Sequence, residues 1–214
     1  MEKKTPATEQ LDQAEDIVAK ARANKKTIVG LSVALVVVIA AILVWLLVAQ
    51  SGSRKADELI ARADAAQNDS IALNLYADAA KAGYKSGNRA KAEMGIRLYR
   101  AGKYEEALKY LDDASLDDEV AAAGVYTLQG DCHVNLDQYD QALKCYAKAI
   151  SKADKNPEIV PFILIKEANI YRAQEKYADE AEAYKTILDD YPTYVATTRV
   201  DIKKYYERAL ASQK

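Results

Sequence analysis

The pattern of apolar and polar residues divides the chain into two parts. Thr27 to Ser53 contains no charged residue, and the 22 positions from Ile28 to Ala49 are almost entirely apolar. As a helix rising about 1.5 Å per residue, they would span roughly 33 Å, the thickness of a bilayer's hydrocarbon core. After residue 54, apolar residues recur at intervals of three and four. The pattern predicts an all-α chain with a single N-terminal transmembrane helix over residues 27–50.

Two other structures could account for the apolar segment. A buried core helix would need other elements packed all around it. The amphipathic helices that follow are expected to use their apolar faces to pack against one another. A cleaved signal peptide fits the small residues of Ala49-Gln50-Ser51. Its apolar run is usually about 7 to 15 residues long, however, and here about 26 residues precede the segment. A transmembrane helix is therefore the favoured interpretation.

Charges beside the apolar segment predict its orientation. Four basic residues precede it closely and three follow it, and this bias favours a cytoplasmic N-terminus. Residues 1–26 are then a cytoplasmic tail, and the larger part of the chain faces the periplasm if the cell is bacterial. Apolar residues at helical spacing predict a short amphipathic helix in the tail: Leu11, Ala14, Ile17, Val18 and Ala21.

A threefold repeat organises the rest of the chain. When the copies are aligned, one column holds Gly95, Gly130 and Ala168, at spacings of 35 and 38. Two further columns, nine and sixteen residues later, hold Tyr104, Tyr139 and Tyr177, and then Leu111, Tyr146 and Tyr184. We expect each copy to be two antiparallel helices, with the small residue of the first helix facing an alanine of the second, as Gly130 would face Ala142. One such hairpin cannot bury its own face, so neighbouring copies must stack.

The ends of the array and its third copy depart from the pattern. Glu180 occupies a position where a small residue is expected, with Ala181 beside it, which predicts a shifted or slightly distorted third copy. Residues 54–87 are predicted to form a capping helical pair, with a cap at Asn68-Asp69-Ser70 and a stop at Gly83. Residues 88–191 are predicted to be the three repeats. Residues 192–214 are predicted to be a solvated C-terminal capping helix.

The middle copy resembles the tetratricopeptide repeat, a helical hairpin of 34 residues. The resemblance is carried by the run QYDQALKCYAKAI and by Tyr126, Gly130, Tyr139, Ala142, Tyr146 and Ala149. It implies a solenoid of helical hairpins whose first helices line a concave, protein-binding groove. Transferred by position, the lining is Arg89, Ala92, Ile96, Tyr99, Thr127, Asp131, Val134, Asn135, Phe162, Ile165, Asn169 and Arg172.

The predicted groove mixes aliphatic, aromatic and amide side chains. Such a groove suits an extended peptide or an amphipathic partner helix, although plain surface is the alternative for any single residue. Family members that clamp the C-terminal carboxylate of heat-shock chaperones use Lys and Asn where this chain has Ala92 and Ile96. We therefore expect no carboxylate clamp.

Composition and reactive residues argue against other classes of function. With 30 basic and 32 acidic residues, the chain has no basic field to hold nucleic acid. His133 is the only histidine, so multi-histidine zinc sites are excluded, and a packed, hydrogen-bonded side chain is expected there. Cys132 and Cys145 could form a disulfide in an oxidising compartment, but two thiols are expected. No catalytic, cofactor or metal site is predicted, and the protein is not expected to be an enzyme.

The arrangement of the whole chain carries a second resemblance. A charged cytoplasmic tail, one transmembrane helix and mildly acidic repeats are similar to the YfgM-like ancillary subunits of the bacterial SecYEG secretion channel. The resemblance implies a single-pass inner-membrane protein, with a periplasmic repeat domain, that handles newly exported chains. We therefore expect a scaffold or chaperone-like adaptor beside the secretion machinery. The alternative is an assembly factor for another envelope complex, in division or outer-membrane assembly.

Overall fold

A computed structural model describes residues 14–15, 17–20, 25–82 and 84–213, and every regular element within these ranges is an α-helix. The chain forms two compact units, Met1–Ser51 and Gly52–Lys214. The helices are α1 (Lys25–Asp64), α2 (Asp69–Ala80), α3 (Tyr84–Arg100), α4 (Tyr104–Asp112), α5 (Glu119–Asn135), α6 (Tyr139–Lys152), α7 (Ile159–Ala173), α8 (Tyr177–Asp190), α9 (Pro192–Thr197) and α10 (Ile202–Ser212).

The predicted tail lies only partly within the described residues. Leu11, Ala21 and the predicted stop at Gly83 fall outside them. Ala14, Ile17 and Val18 are helical, and the Ile17 and Val18 side chains are both exposed.

In the first unit, α1 carries the apolar segment. One span, Val29–Asp64, is long and apolar enough to cross a membrane, and its most apolar 18-residue window has a mean hydropathy of 3.2 with none of it buried. The helix does not stop where the predicted transmembrane helix ends, because Ser51, Gly52 and Ser53 are helical as well. A single helical glycine costs only about 1 kcal/mol, which is too little to end a helix that no proline interrupts.

In the second unit, the end of α1 packs with α2. Ala56, Ile60 and Ala63 are buried in one cluster with Tyr76 of α2. The Asn68 side chain accepts hydrogen bonds from the backbone N–H groups of residues 70 and 71 and so caps α2. The predicted boundary between the capping pair and the repeats, at 87/88, falls inside α3.

The next six helices form three hairpins with the same turn. In each turn one residue adopts a left-handed conformation, with φ of 73° at Gly102 and 57° at both Asp137 and Glu175. The following N–H then bonds a carbonyl five residues earlier in each case: Lys103 to Leu98 at 2.9 Å, Gln138 to His133 at 2.8 Å and Lys176 to Tyr171 at 2.8 Å. These bonds satisfy carbonyls at the end of each first helix, so all three hairpins close alike.

The residue that packs closely against the glycine of a hairpin differs from the predicted one. A Cβ added at Gly130 would overlap the Tyr146 ring, and one added at Gly95 would overlap Leu111. The nearest atoms to Gly130 therefore belong to Tyr146, whereas we expected Ala142, which is itself fully buried. The glycine makes room for a large side chain of the second helix.

The third copy keeps its register, so the predicted shift is wrong. Tyr177 begins α8 as Tyr104 and Tyr139 begin α4 and α6, and Glu180 is buried at the position of Ala142. The Glu180 carboxylate accepts a hydrogen bond from the Arg208 guanidinium of α10. A negative charge can occupy this position because the positively charged Arg208 side chain pairs with it.

The C-terminal segment is not one solvated helix. It breaks after Thr197, where Thr198 is extended, and resumes at Ile202, with the Asp201 side chain accepting a hydrogen bond from the Lys204 N–H at 3.0 Å. Ile202 and Ala209 of α10 are buried, and α10 packs on α8. The last helix therefore covers the end of the array.

Candidate functional site

An apolar cleft of about 790 Å³ lies between α3 and α5, the first helices of the first two hairpins. Its apolar lining combines Ile96 of α3 with Val125 and Leu128 of α5. Gly124 is exposed in this cleft, and a Cβ added there would meet no atom within 4 Å. The full lining is Lys85, Asn88, Arg89, Ala92, Glu93, Ile96, Leu111, Ser115, Leu116, Asp117, Asp118, Ala121, Gly124, Val125 and Leu128.

Charged residues surround the apolar cleft. Lys85 of α3 pairs with Asp117 of the α4–α5 loop at 2.6 Å, but both side chains are mostly exposed, and such pairs contribute little stability. The Asp118 side chain caps α5 by accepting a hydrogen bond from the Ala121 N–H at 2.8 Å. The rim thus carries charges of both signs. A ligand would gain most from contact with the apolar lining of the cleft.

A smaller polar cleft of about 320 Å³ follows the apolar cleft along the same helices. At its centre the Asp131 carboxylate accepts hydrogen bonds from the Tyr146 hydroxyl at 2.6 Å and from Lys166 Nζ at 2.9 and 3.0 Å. Its charge is therefore balanced within the protein. The full lining is Tyr99, Asp131, Val134, Asn135, Tyr139, Tyr146, Lys166, Asn169, Ile170 and Ala173.

The Tyr146 and Tyr99 hydroxyl groups of the polar cleft remain donors at neutral pH. Burial, and then the hydrogen bond to Asp131, raise the pKa of Tyr146 above its usual value of 10.0. The pKa of Tyr99 is raised first by burial and then by the Asp131 charge. Both tyrosines are therefore neutral hydrogen-bonding groups.

Most of the predicted groove residues line one of the two clefts. Arg89, Ala92 and Ile96 line the apolar cleft. The polar cleft takes Tyr99, Asp131, Val134, Asn135 and Asn169.

Four predicted residues, Thr127, Phe162, Ile165 and Arg172, line neither cleft. Thr127 turns its hydroxyl to the Ala123 carbonyl at 2.8 Å, and Ile165 packs against the core. Phe162 is 51% exposed, with Lys166 Nζ lying 4.9 Å from its ring centroid.

Sequence reasoning missed three residues that shape the clefts: Gly124, Tyr146 and Lys166. The sequence predicts Tyr146 only as a member of the repeat pattern. Lys166 lies one position away from an expected groove residue, Ile165, and it reaches the polar cleft by pairing with Asp131 across 35 positions of sequence. A glycine inside a predicted helix, as at Gly124, was the one available signal, because such a glycine needs a packing or functional reason.

The histidine and the two cysteines are held in hydrogen-bonded or at least partly buried positions. His133 Nδ1 lies 2.7 Å from the Gln138 side-chain oxygen, which is the hydrogen-bonded arrangement predicted for it. Both cysteines are free thiols, and burial raises the pKa of Cys132 to about 12, so that thiol is a poor nucleophile. Within the described residues, no group of histidine, cysteine and acidic side chains could hold a metal ion.

Comparison with known families decides what the hairpins are. Residues 92–157 and 127–195 each match the tetratricopeptide repeat. Residues 92–195 therefore consist of tetratricopeptide repeats. No curated protein matches the sequence. Tetratricopeptide repeats generally bind proteins or peptides on the surface that their stacked hairpins form, so the polar cleft and most of the apolar cleft lie in the part of the chain where such binding is expected.

Proposed function

We propose that the protein is a membrane-anchored tetratricopeptide scaffold, or chaperone-like adaptor, that binds segments of other proteins in the apolar and polar clefts. One observation carries the proposal: α3 and α5 each supply residues to the apolar cleft and then, one or two turns later, to the polar cleft. The apolar cleft offers burial and the polar cleft offers hydrogen bonds, a combination typical of ligand sites. Because both are open to solvent, we expect modest, reversible affinity.

The apolar part of α1 supports the membrane anchor. Large side chains such as Leu35, Val44 and Leu47 are more than half exposed, and lipid would remove them from water. We propose that this helix crosses the bacterial inner membrane with the N-terminus in the cytoplasm and the repeats in the periplasm. The orientation rests on the basic residues that precede the helix.

Association with the secretion channel is the finer part of the proposal. It rests on the arrangement of tail, membrane helix and repeats, which is similar to that of the ancillary translocon subunits. Segments that emerge from a secretion channel are unfolded and expose apolar side chains, and an apolar cleft on a membrane-anchored chain would suit them.

Purification from membranes in mild detergent tests the function. The wild-type chain is compared with Gly124→Leu, which places a leucine side chain in the apolar cleft, and with the control Gln141→Leu, which places the same side chain on an exposed position of α6. We expect the wild type and Gln141→Leu to retain channel subunits or exported proteins that Gly124→Leu loses. Recovery of a division or outer-membrane assembly complex instead would favour the alternative function. Equal recovery by all three would refute binding through the clefts.

Protease treatment of intact spheroplasts tests the topology. We expect the repeats to be digested from outside while an epitope tag on the N-terminus survives. Protection of the repeats would show that the orientation is inverted.

A further inference from the structure

The two clefts are close enough to hold one short segment. On α5 the apolar cleft is lined by residues between 121 and 128 and the polar cleft by residues between 131 and 135, so the midpoints of the two linings lie about eight residues apart. At about 1.5 Å per helical residue, the cleft centres lie on the order of 12 Å apart. An extended chain covers this distance in three or four residues at about 3.3 Å each. A helical ligand would need about eight.

The apolar cleft has room for a large side chain beside Gly124. In the aligned hairpins, Arg89, Gly124 and Phe162 occupy equivalent positions, six residues before Gly95, Gly130 and Ala168 respectively. Of these three, only the glycine lacks a side chain, and a Cβ added there would meet no atom within 4 Å, in the same cleft that Ile96 and Leu128 line. A leucine, methionine or aromatic side chain of a ligand could occupy the space that Gly124 leaves. A small or charged side chain would gain little there.

The polar cleft favours an uncharged group. Lys166 and the Tyr146 hydroxyl already balance the Asp131 carboxylate, so a ligand charge would lose water without gaining an unpaired partner. The exposed Asn169 amide has no hydrogen-bond partner among the described residues and offers both a donor and an acceptor. An extended segment presents free backbone donors and acceptors to such an amide, whereas a helix has already paired most of its own.

Building on the proposed function, we infer that the clefts select an extended segment in which a bulky apolar residue is separated by three or four positions from an uncharged hydrogen-bonding residue. The apolar residue occupies the apolar cleft at Gly124. The other, for instance asparagine, glutamine, serine or threonine, occupies the polar cleft beside Asn169.

The probe is a library of random twelve-residue peptides displayed on phage. It is selected on the full chain in lipid nanodiscs after depletion on empty nanodiscs. We expect the enriched peptides to share the apolar and uncharged pair at a separation of three or four. For a synthetic copy of the best peptide, Gly124→Leu should weaken binding by about tenfold to a hundredfold, the range for losing one buried apolar side chain. Gln141→Leu should leave binding unchanged.

A second variant tests the polar cleft by reversing its preference. Lys166→Met keeps the apolar stem but removes the charge that balances Asp131. Selection on this variant should replace the uncharged residue with lysine or arginine at the same separation. Circular dichroism of each variant confirms that the helices are retained.

The outcomes separate this inference from the proposed function. If no peptide is enriched over empty nanodiscs, segment binding by the clefts fails, and this inference fails with it. If peptides are enriched but Gly124→Leu retains them, or if their shared residues lie seven or eight apart, binding stands and the extended two-cleft motif is wrong. Retention of uncharged residues by Lys166→Met would overturn the role of the Asp131–Lys166 pair.

Discussion

Glu180 of α8 and Arg208 of α10 form an ion pair in which the glutamate side chain is 1% exposed and the arginine 34%. The pair joins the last repeat to the helix that covers it. One carboxylate oxygen of Glu180 accepts the Arg208 hydrogen bond, and the other is buried without a hydrogen-bond partner. The arginine contact is therefore the main compensation for burying the carboxylate charge.

Removing the arginine should therefore destabilise the repeat domain. We expect Arg208→Leu to lower the free energy of unfolding by about 3 kcal/mol, because a buried carboxylate is left without its counter-charge. Glu180→Ala combined with Arg208→Leu should recover most of the loss, since alanine is the residue of the other repeats at this position. Urea denaturation of the full chain in detergent, followed by circular dichroism, measures both.

Another pair on α10 is the matched control for that experiment. Lys203 and Glu207 are 3.9 Å apart with both side chains mostly exposed, so Glu207→Ala should cost less than about 1 kcal/mol. Equal losses from Arg208→Leu and Glu207→Ala would contradict a special role for the buried pair.

The left-handed turns predict opposite effects of two substitutions at equivalent positions. Gly102→Ala should destabilise the protein by about 1 kcal/mol, because a side chain is strained at a φ of 73°. Glu175→Gly should be neutral or stabilising by up to about 1 kcal/mol, since it relieves a φ of 57° in the third hairpin. The same denaturation assay applies. A stabilising Gly102→Ala would show that the turn relaxes to another conformation.

Two glycines of α5 should respond in opposite directions to the same substitution. Gly130→Ala would push a methyl group into the Tyr146 ring and should destabilise by about 2 kcal/mol. Gly124→Ala meets no atom and should stabilise by up to about 1 kcal/mol, because alanine is the better helix former. Thermal unfolding of the two variants in parallel measures the difference in their stability. Equal stability would show that the two helices of this hairpin are not closely packed.

Glu167 of α7 should make stability depend on pH. Burial raises the pKa of its carboxyl from 4.5 to about 7, so the folded chain holds a proton that the unfolded chain releases between these values. Its contribution is fully present below about pH 4.5 and is lost as pH rises through 7. In the wild type, we expect the free energy of unfolding to fall by up to about 3 kcal/mol between these two pH values because of Glu167. Glu167→Gln should remove this fall.

Denaturation curves at several pH values between 4 and 8 check the Glu167 prediction. The control is Glu182→Gln, at an exposed position on the neighbouring helix α8, which should follow the wild-type profile. A wild-type profile that is unchanged by Glu167→Gln would contradict the raised pKa.

Periodicity and spacing determined the repeat architecture from the sequence alone. The column of Gly95, Gly130 and Ala168 predicted three helical hairpins. The helices α3 to α8 form three hairpins, and residues 92–195 match the tetratricopeptide repeat. The uncharged run from Ile28 to Ala49 likewise predicted an apolar helix of spanning length, which α1 contains. These features follow from the order of apolar residues along the chain, because helical spacing decides which face must be covered.

Contacts between distant residues could be known only from the tertiary structure. The sequence did not reveal the partner of Glu180, because Arg208 is 28 positions away on a helix expected to be solvated. The Asp131–Lys166 pair joins two hairpins, and the space at Gly124 exists only because α3 and α5 leave it open. Sequence spacing specifies which residues share a helix face, but the distance between faces of different helices depends on how whole side chains pack. The architecture was therefore readable from the sequence, while the clefts and the charges inside them were decided by packing.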